Sequence, residues 1–145
     1  MKQSTLTTVV FTLALLACPA LATAAKLNGS LGEPSGATDV YQVSCTSNAN
    51  GATQQLRVRL IDLAPVAAPM ISVQVIRGTL GQNTTDAIDG DTAFSPAAIV
   101  AAGNARYDVR VNKTEAGKEL YTLVYECLNR AGRATRTAIV RLQNQ

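Results

Sequence analysis

Apolar side chains recur at every second position through most of the chain beyond residue 38. Tyr41, Val43 and Cys45 share one parity against Gln42 and Ser44, and Leu56, Val58 and Leu60 alternate with Arg57 and Arg59. Ile71, Val73 and Val75 alternate with Ser72 and Gln74, and Tyr107, Val109 and Val111 with Arg106, Asp108 and Arg110. Tyr121, Leu123, Tyr125 and Cys127 stand against Thr122 and Glu126. Near the C-terminus Ala134, Ala138, Val140 and Leu142 share a parity against Thr135, Thr137 and Arg141, with Ile139 alone out of pattern. A period of two places successive side chains on opposite faces, so each run predicts a half-buried strand.

Turn chemistry separates the runs: Ser47 to Gly51, Arg77-Gly78, Asp89-Gly90-Asp91, Gly103-Asn104 and Arg130-Ala131-Gly132. Ser95 to Ala102 reads as strand or helical turn, and Glu115 to Leu120 has room for one turn of helix. About seven to eight short strands in one domain, residues 39–145, predict an all-β antiparallel β-sandwich or jelly roll. Residues 26–38, Lys26 to Thr38, are rich in Gly, Ser and Pro. They predict a loose N-terminal segment, with Leu27 and Leu31 able to add an edge strand.

The first twenty-five residues have a different character. Lys2 precedes an apolar stretch from Leu6 to Ala17, followed by Pro19 and two A-x-A patterns, Ala20-Leu21-Ala22 and Ala22-Thr23-Ala24. The stretch is shorter than the roughly 20 residues of a membrane span. Residues 1–25 therefore predict a cleaved secretory signal peptide, a periplasmic, cell-surface or secreted product, and no membrane span. Leu15-Leu16-Ala17-Cys18 resembles a bacterial lipobox, but Leu16 stands where a smaller or β-branched residue is usual and Pro19 follows directly. Loss of Cys18 with the leader is the preferred reading.

Export changes the meaning of the cysteines. Cys45 and Cys127 remain in an oxidising compartment, each on the more apolar face of a predicted strand, and they predict one disulfide. Closing a loop of about 80 residues, it would stabilise the fold by about 4–5 kcal/mol in the chain-entropy model.

Composition removes whole classes of function. The 145 residues include no His and no Trp, which rules out Ser-His-Asp and Cys-His catalysis and histidine-based zinc or copper sites. Ala116-Gly117-Lys118-Glu119 lacks both the earlier Gly and the following Ser/Thr of a phosphate loop. No catalytic residues and no cofactor-binding residues are assigned, and the chain reads as a non-enzyme. A net charge of +3 is too small to imply a nucleic-acid partner.

Three strand motifs resemble those of bacterial pre-peptidase C-terminal domains. They are Gly36-Ala37-Thr38-Asp39-Val40-Tyr41-Gln42-Val43, Gly103-x-x-x-Tyr107-Asp108-Val109-Arg110-Val111 and Gly117-x-x-x-Tyr121-Thr122-Leu123. Together they cover most of residues 28–128. The resemblance implies a secreted jelly-roll sandwich that acts as a non-catalytic accessory of extracellular peptidases, with calcium and collagen-like or other polymers among the ligands of related domains. The chain departs from that pattern in having no attached peptidase, in its Cys45–Cys127 pair, and in a further strand between Asn129 and Gln145.

The densest acidic group is Asp86-Ala87-Ile88-Asp89-Gly90-Asp91. Several hard oxygens on a Gly-containing loop are what calcium requires, so Asp86, Asp89 and Asp91 are candidate calcium ligands. The order is not that of an EF-hand loop, and Asp and Gly also serve turn geometry. Arg130, Arg133, Arg136 and Arg141 crowd the C-terminal segment, but their parities differ and no aromatics interleave them, so they read as solvated edge charges. Tyr41, Tyr107, Tyr121 and Tyr125 lie in phase with core positions and read as core. The sequons at Asn28, Asn83 and Asn112 are coincidental behind a leader of bacterial type.

These features predict an exported non-catalytic binding module for a cell-surface, matrix or polymeric partner, protein or polysaccharide. The alternative is a structural subunit of a filament or surface layer, self-associating through Lys26–Thr38 as a donated strand. Secretory expression should yield a chain that begins within Thr23–Lys26, carries no acyl group and lacks the two hydrogens lost to one disulfide. Intact mass spectrometry checks all three.

Overall fold

A computed structural model describes residues 24–64 and 69–145. Of the expected leader, residues 1–25, positions 1–23 with Cys18 lie outside the described residues, while Ala24 and Ala25 are described and Ala25 opens the first strand. Nine strands are found among the described residues, and no helix: β1 (Ala25–Leu31), β2 (Thr38–Thr46), β3 (Gln55–Leu63), β4 (Ile71–Arg77), β5 (Leu80–Thr85), β6 (Ala98–Val100), β7 (Arg106–Lys113), β8 (Glu119–Leu128) and β9 (Arg136–Gln143). They form a four-stranded sheet, β1-β8-β3-β6, and a five-stranded sheet, β5-β4-β7-β2-β9.

All pairings are antiparallel, and β1 with β8, β2 with β7, β3 with β6 and β4 with β5 nest inside one another. A long ribbon rolled in that way is a jelly roll. At its tip β4 and β5 are joined through Gly78, whose φ of 58° suits a tight hairpin turn. Strand β9 stands outside the roll, added to the free side of β2. The ambiguous Ser95–Ala102 stretch supplies β6, and the Glu115–Leu120 stretch is a bend at Glu115–Gly117 followed by the first residues of β8.

The structure refines two expectations. While residues 32–37 are turn and bend, the edge strand through Leu27 and Leu31 is present and regular: Ala25–Leu31 forms β1, paired in register with β8 from Ala25↔Tyr125 to Leu31↔Glu119. The reason lies at Gly29. A Cβ there would stand 2.2 Å from Cζ of Tyr121, so the glycine that read as a loop residue admits the tyrosine ring across the neighbouring strand. The phase of β9 is also inverted. Register sets Ile139 opposite Val43 and Arg141 opposite Tyr41, so the odd positions face inward and Val140 and Leu142 face solvent. Arg141, though exposed, lays its guanidinium 5.3 Å from the Tyr41 ring centroid.

The inward faces of both sheets make one core, including Tyr41, Val43, Leu56, Leu60, Val73, Val109, Tyr107, Tyr121 and Leu123. Cys45 and Cys127 are bonded, joining β2 of one sheet to β8 of the other. Their Cα atoms are 5.6 Å apart, about half the usual spacing of packed sheets of roughly 10 Å. The bridge thus pins the sandwich where its sheets converge.

Replacing Gly29→Ala should destabilise the protein by about 1–3 kcal/mol, because the Tyr121 ring has no room to yield within a filled core. A lowered urea midpoint with an unchanged slope would show it.

Candidate functional site

The core parity of four strands ends in a charged residue, and all four ends lie at one pole. Asp39 follows the phase of Tyr41 and Val43, Asp62 that of Val58 and Leu60, Lys113 that of Val109 and Val111, and Glu119 that of Tyr121 and Leu123. Asp39, Asp62 and Glu119 are fully buried and Lys113 nearly so. The disulfide closes the opposite pole.

Two groups form there. In the first, Tyr121 Oη donates to Asp39 Oδ2 at 2.5 Å and lies 2.5 Å from Tyr41 Oη, so the hydroxyls of both sheets meet on one carboxylate. Burial, above all, raises the pKa of both tyrosines. The second group is acidic. One carboxylate oxygen from each of Asp62, Asp89 and Glu119 lies within 4.8 Å of the others. Asp62 comes from the end of β3, Glu119 from the start of β8, and half-buried Asp89 from the β5–β6 connection.

Asp62 Oδ2 accepts from Ile71 N at 3.2 Å. Its Oδ1, and both oxygens of Glu119, are buried without a hydrogen-bond partner among the described residues. Lys113 is the cation whose charge reaches Glu119, yet its ammonium donates to the carbonyls of Gly32, Glu33 and Gly117. Burial first, then the charges of Asp89 and Glu119, pushes Asp62 up to about 7. Burial, then Asp89, raises Glu119 as well.

Of the acidic loop read from the sequence, only Asp89 joins this cluster. Asp86 Oδ2 accepts from Asp62 N at 2.8 Å and its Oδ1 from Ile88 N, so it is a structural tie between the loop and β3. Asp91 caps its own turn, accepting from Ala93 N at 2.7 Å. A count of neighbouring acids along the chain does not find Asp62 and Glu119, each of which stands apart from the acidic loop. The signal that finds them is a charge on the apolar parity of a strand. The arginines are exposed and spread over the β8–β9 turn and both faces of β9, while Tyr41, Tyr107, Tyr121 and Tyr125 are core residues.

A carboxyl group whose pKa is raised on folding binds its proton more tightly in the native state. Its stabilising contribution is therefore full below the unfolded value, near 4, and is lost as pH rises through about 7. In chelator, the melting temperature of the wild type should fall between about pH 5 and 8 relative to Asp62→Asn, in which that slope is absent. Parallel melting curves of the two proteins across this range check the sign.

No protein-family model matches the chain and no curated protein matches it, so its function is read from its own residues.

Proposed function

We propose that the chain is an exported, non-catalytic β-sandwich module that works by contact with a cell-surface, matrix or other polymeric partner. The observation that carries this reading is the outer face of the five-stranded sheet. Gln74, Arg106, Asp108 and Arg110 are exposed along it, and at its β9 margin Val140 and Leu142 are each 59% exposed. Aliphatic side chains rimmed by polar ones on an open sheet margin are suited to contact. The outer face of the other sheet is covered differently: its Val124 is only 3% exposed, and Phe94 sits 5.1 Å from Arg59 and 6.0 Å from Lys26 in the same row.

The leader pattern, the cross-sheet disulfide and the resemblance to pre-peptidase C-terminal domains support export and an accessory role. The subunit reading fares less well. Lys26–Leu31 is already paired along its length with β8, and Gly32 and Thr38 donate to Gln145. Donating this segment to another molecule would strip the four-stranded sheet of its own edge.

Static light scattering and co-sedimentation with insoluble peptidoglycan and with fibrillar collagen test the reading. The expected result is a monomer retained on a polymer, with retention reduced several-fold in Val140→Ser/Leu142→Ser at unchanged melting temperature. Retention that ignores the double substitution overturns it. So do large, concentration-dependent assemblies abolished by an Asn28→Cys/Thr122→Cys lock between β1 and β8, which would establish strand donation instead.

A further inference from the structure

We propose that Asp62, Asp89 and Glu119 form a calcium site that ties the β5–β6 connection to the ends of β3 and β8. The proposal concerns the charged pole and is independent of which partner the open sheet face meets.

Oxygen spacing is the first support. Two oxygens bound to one Ca²⁺ at about 2.4 Å lie at most about 4.8 Å apart, and one oxygen from each of the three carboxylates satisfies that limit. The second support is separate from the clustering. Glu119 is fully buried and neither of its oxygens has a hydrogen-bond partner among the described residues, and the same holds for Asp62 Oδ1. Buried carboxylate oxygens are normally paired with donors or metal ions. Among the described residues none reaches these oxygens: the Lys113 ammonium is committed to three backbone carbonyls, and the one ion pair found there, Arg57–Glu126, lies elsewhere.

The donor chemistry selects the ion class. Three carboxylates with no nitrogen or sulfur ligand suit a hard cation, and ligands drawn from two strands and one loop suit the irregular, larger shell of Ca²⁺ better than the strict octahedron of Mg²⁺. Asp89 is the least buried of the three, so the ion would enter from the loop side. Its capture would fasten the Asp86–Ala97 connection, which also carries Phe94 across to the outer face of the four-stranded sheet.

The test uses the chain purified after secretory expression with its disulfide formed. Ca²⁺ should bind with a dissociation constant on the order of 10⁻⁴ M, as in extracellular modules. At about 5 mM it should raise the melting temperature by about 5–10 °C. Tb³⁺ should show tyrosine-sensitised luminescence, since Tyr121 is the direct cross-strand neighbour of Asp62, and Ca²⁺ but not Mg²⁺ should quench it. Glu119→Gln breaks no hydrogen bond found in the structure and should fold, yet lose the thermal shift and bind at least tenfold more weakly. Asp89→Asn should do the same from a half-buried position, and Asp91→Asn should bind as the wild type does. Absence of any Ca²⁺ response in the wild type overturns the proposal. A response retained in Glu119→Gln, lost in Asp91→Asn, or matched by Mg²⁺ overturns it equally.

Discussion

A rolled antiparallel ribbon leaves the core open at both ends of its strands, and sealing those ends is the constraint on which this molecule depends. The two ends are sealed by different chemistry. At one, Cys45 and Cys127 bring the sheets covalently together. At the other, the strands run out of apolar residues and finish in Asp39, Asp62, Lys113 and Glu119, all turned inward. Burying such groups costs several kcal/mol each unless they are paired or neutralised. That pole is therefore where stability and chemistry are in tension.

Part of the tension is relieved by the protein itself. Asp39 takes the Tyr121 hydroxyl on one oxygen and the backbone N–H of Gln145 on the other. Gln145 in turn accepts from Gly32 N through its carbonyl and from Thr38 N through its side chain. The C-terminal segment thus clasps the β1–β2 turn and gives β9, a strand outside the jelly roll, a structural part in closing it. Lys113 fastens the same turn to Gly117. What these bonds leave without a hydrogen-bond partner among the described residues is acidic: one oxygen of Asp62 and both of Glu119.

Much of this was legible in the sequence, and the remainder was hidden for identifiable reasons. Period-two alternation located β2, β3, β4, β7 and β8, and the shared phase of Cys45 and Cys127 located the bridge. The alternation failed at β9 because both parities there carry aliphatics, and only the register against Val43 and Tyr41 decides between them. It failed at β1 because Gly29 and Ser30 have the composition of a loop. The glycine is there to admit the Tyr121 ring, a requirement that exists only once β1 and β8 are adjacent. The acidic cluster joins three distant segments, so no local motif could spell it. Yet Asp62 and Glu119 were each visible as a charge on an apolar parity, and only the count of acids near Asp86 to Asp91 pointed elsewhere.

The order in which the cluster is assembled follows from the sheet. Asp62 is the cross-strand partner of Tyr121 in the β3–β8 ladder, so Glu119, two residues earlier on the same face, is its diagonal neighbour. These two carboxylates are brought together by the same backbone pairing that forms the four-stranded sheet, whatever the β5–β6 connection does. Their juxtaposition is thus fixed by the fold, while Asp89 arrives on a loop tied down by Asp86 at the Asp62 N–H. A pair of acids rigid on strands, completed by a third on a connection, can be satisfied by protons or by a cation. Either draws the third carboxylate in, a proton by a carboxyl–carboxylate hydrogen bond and a cation by ligation, onto a loop already anchored through the Asp86 side chain.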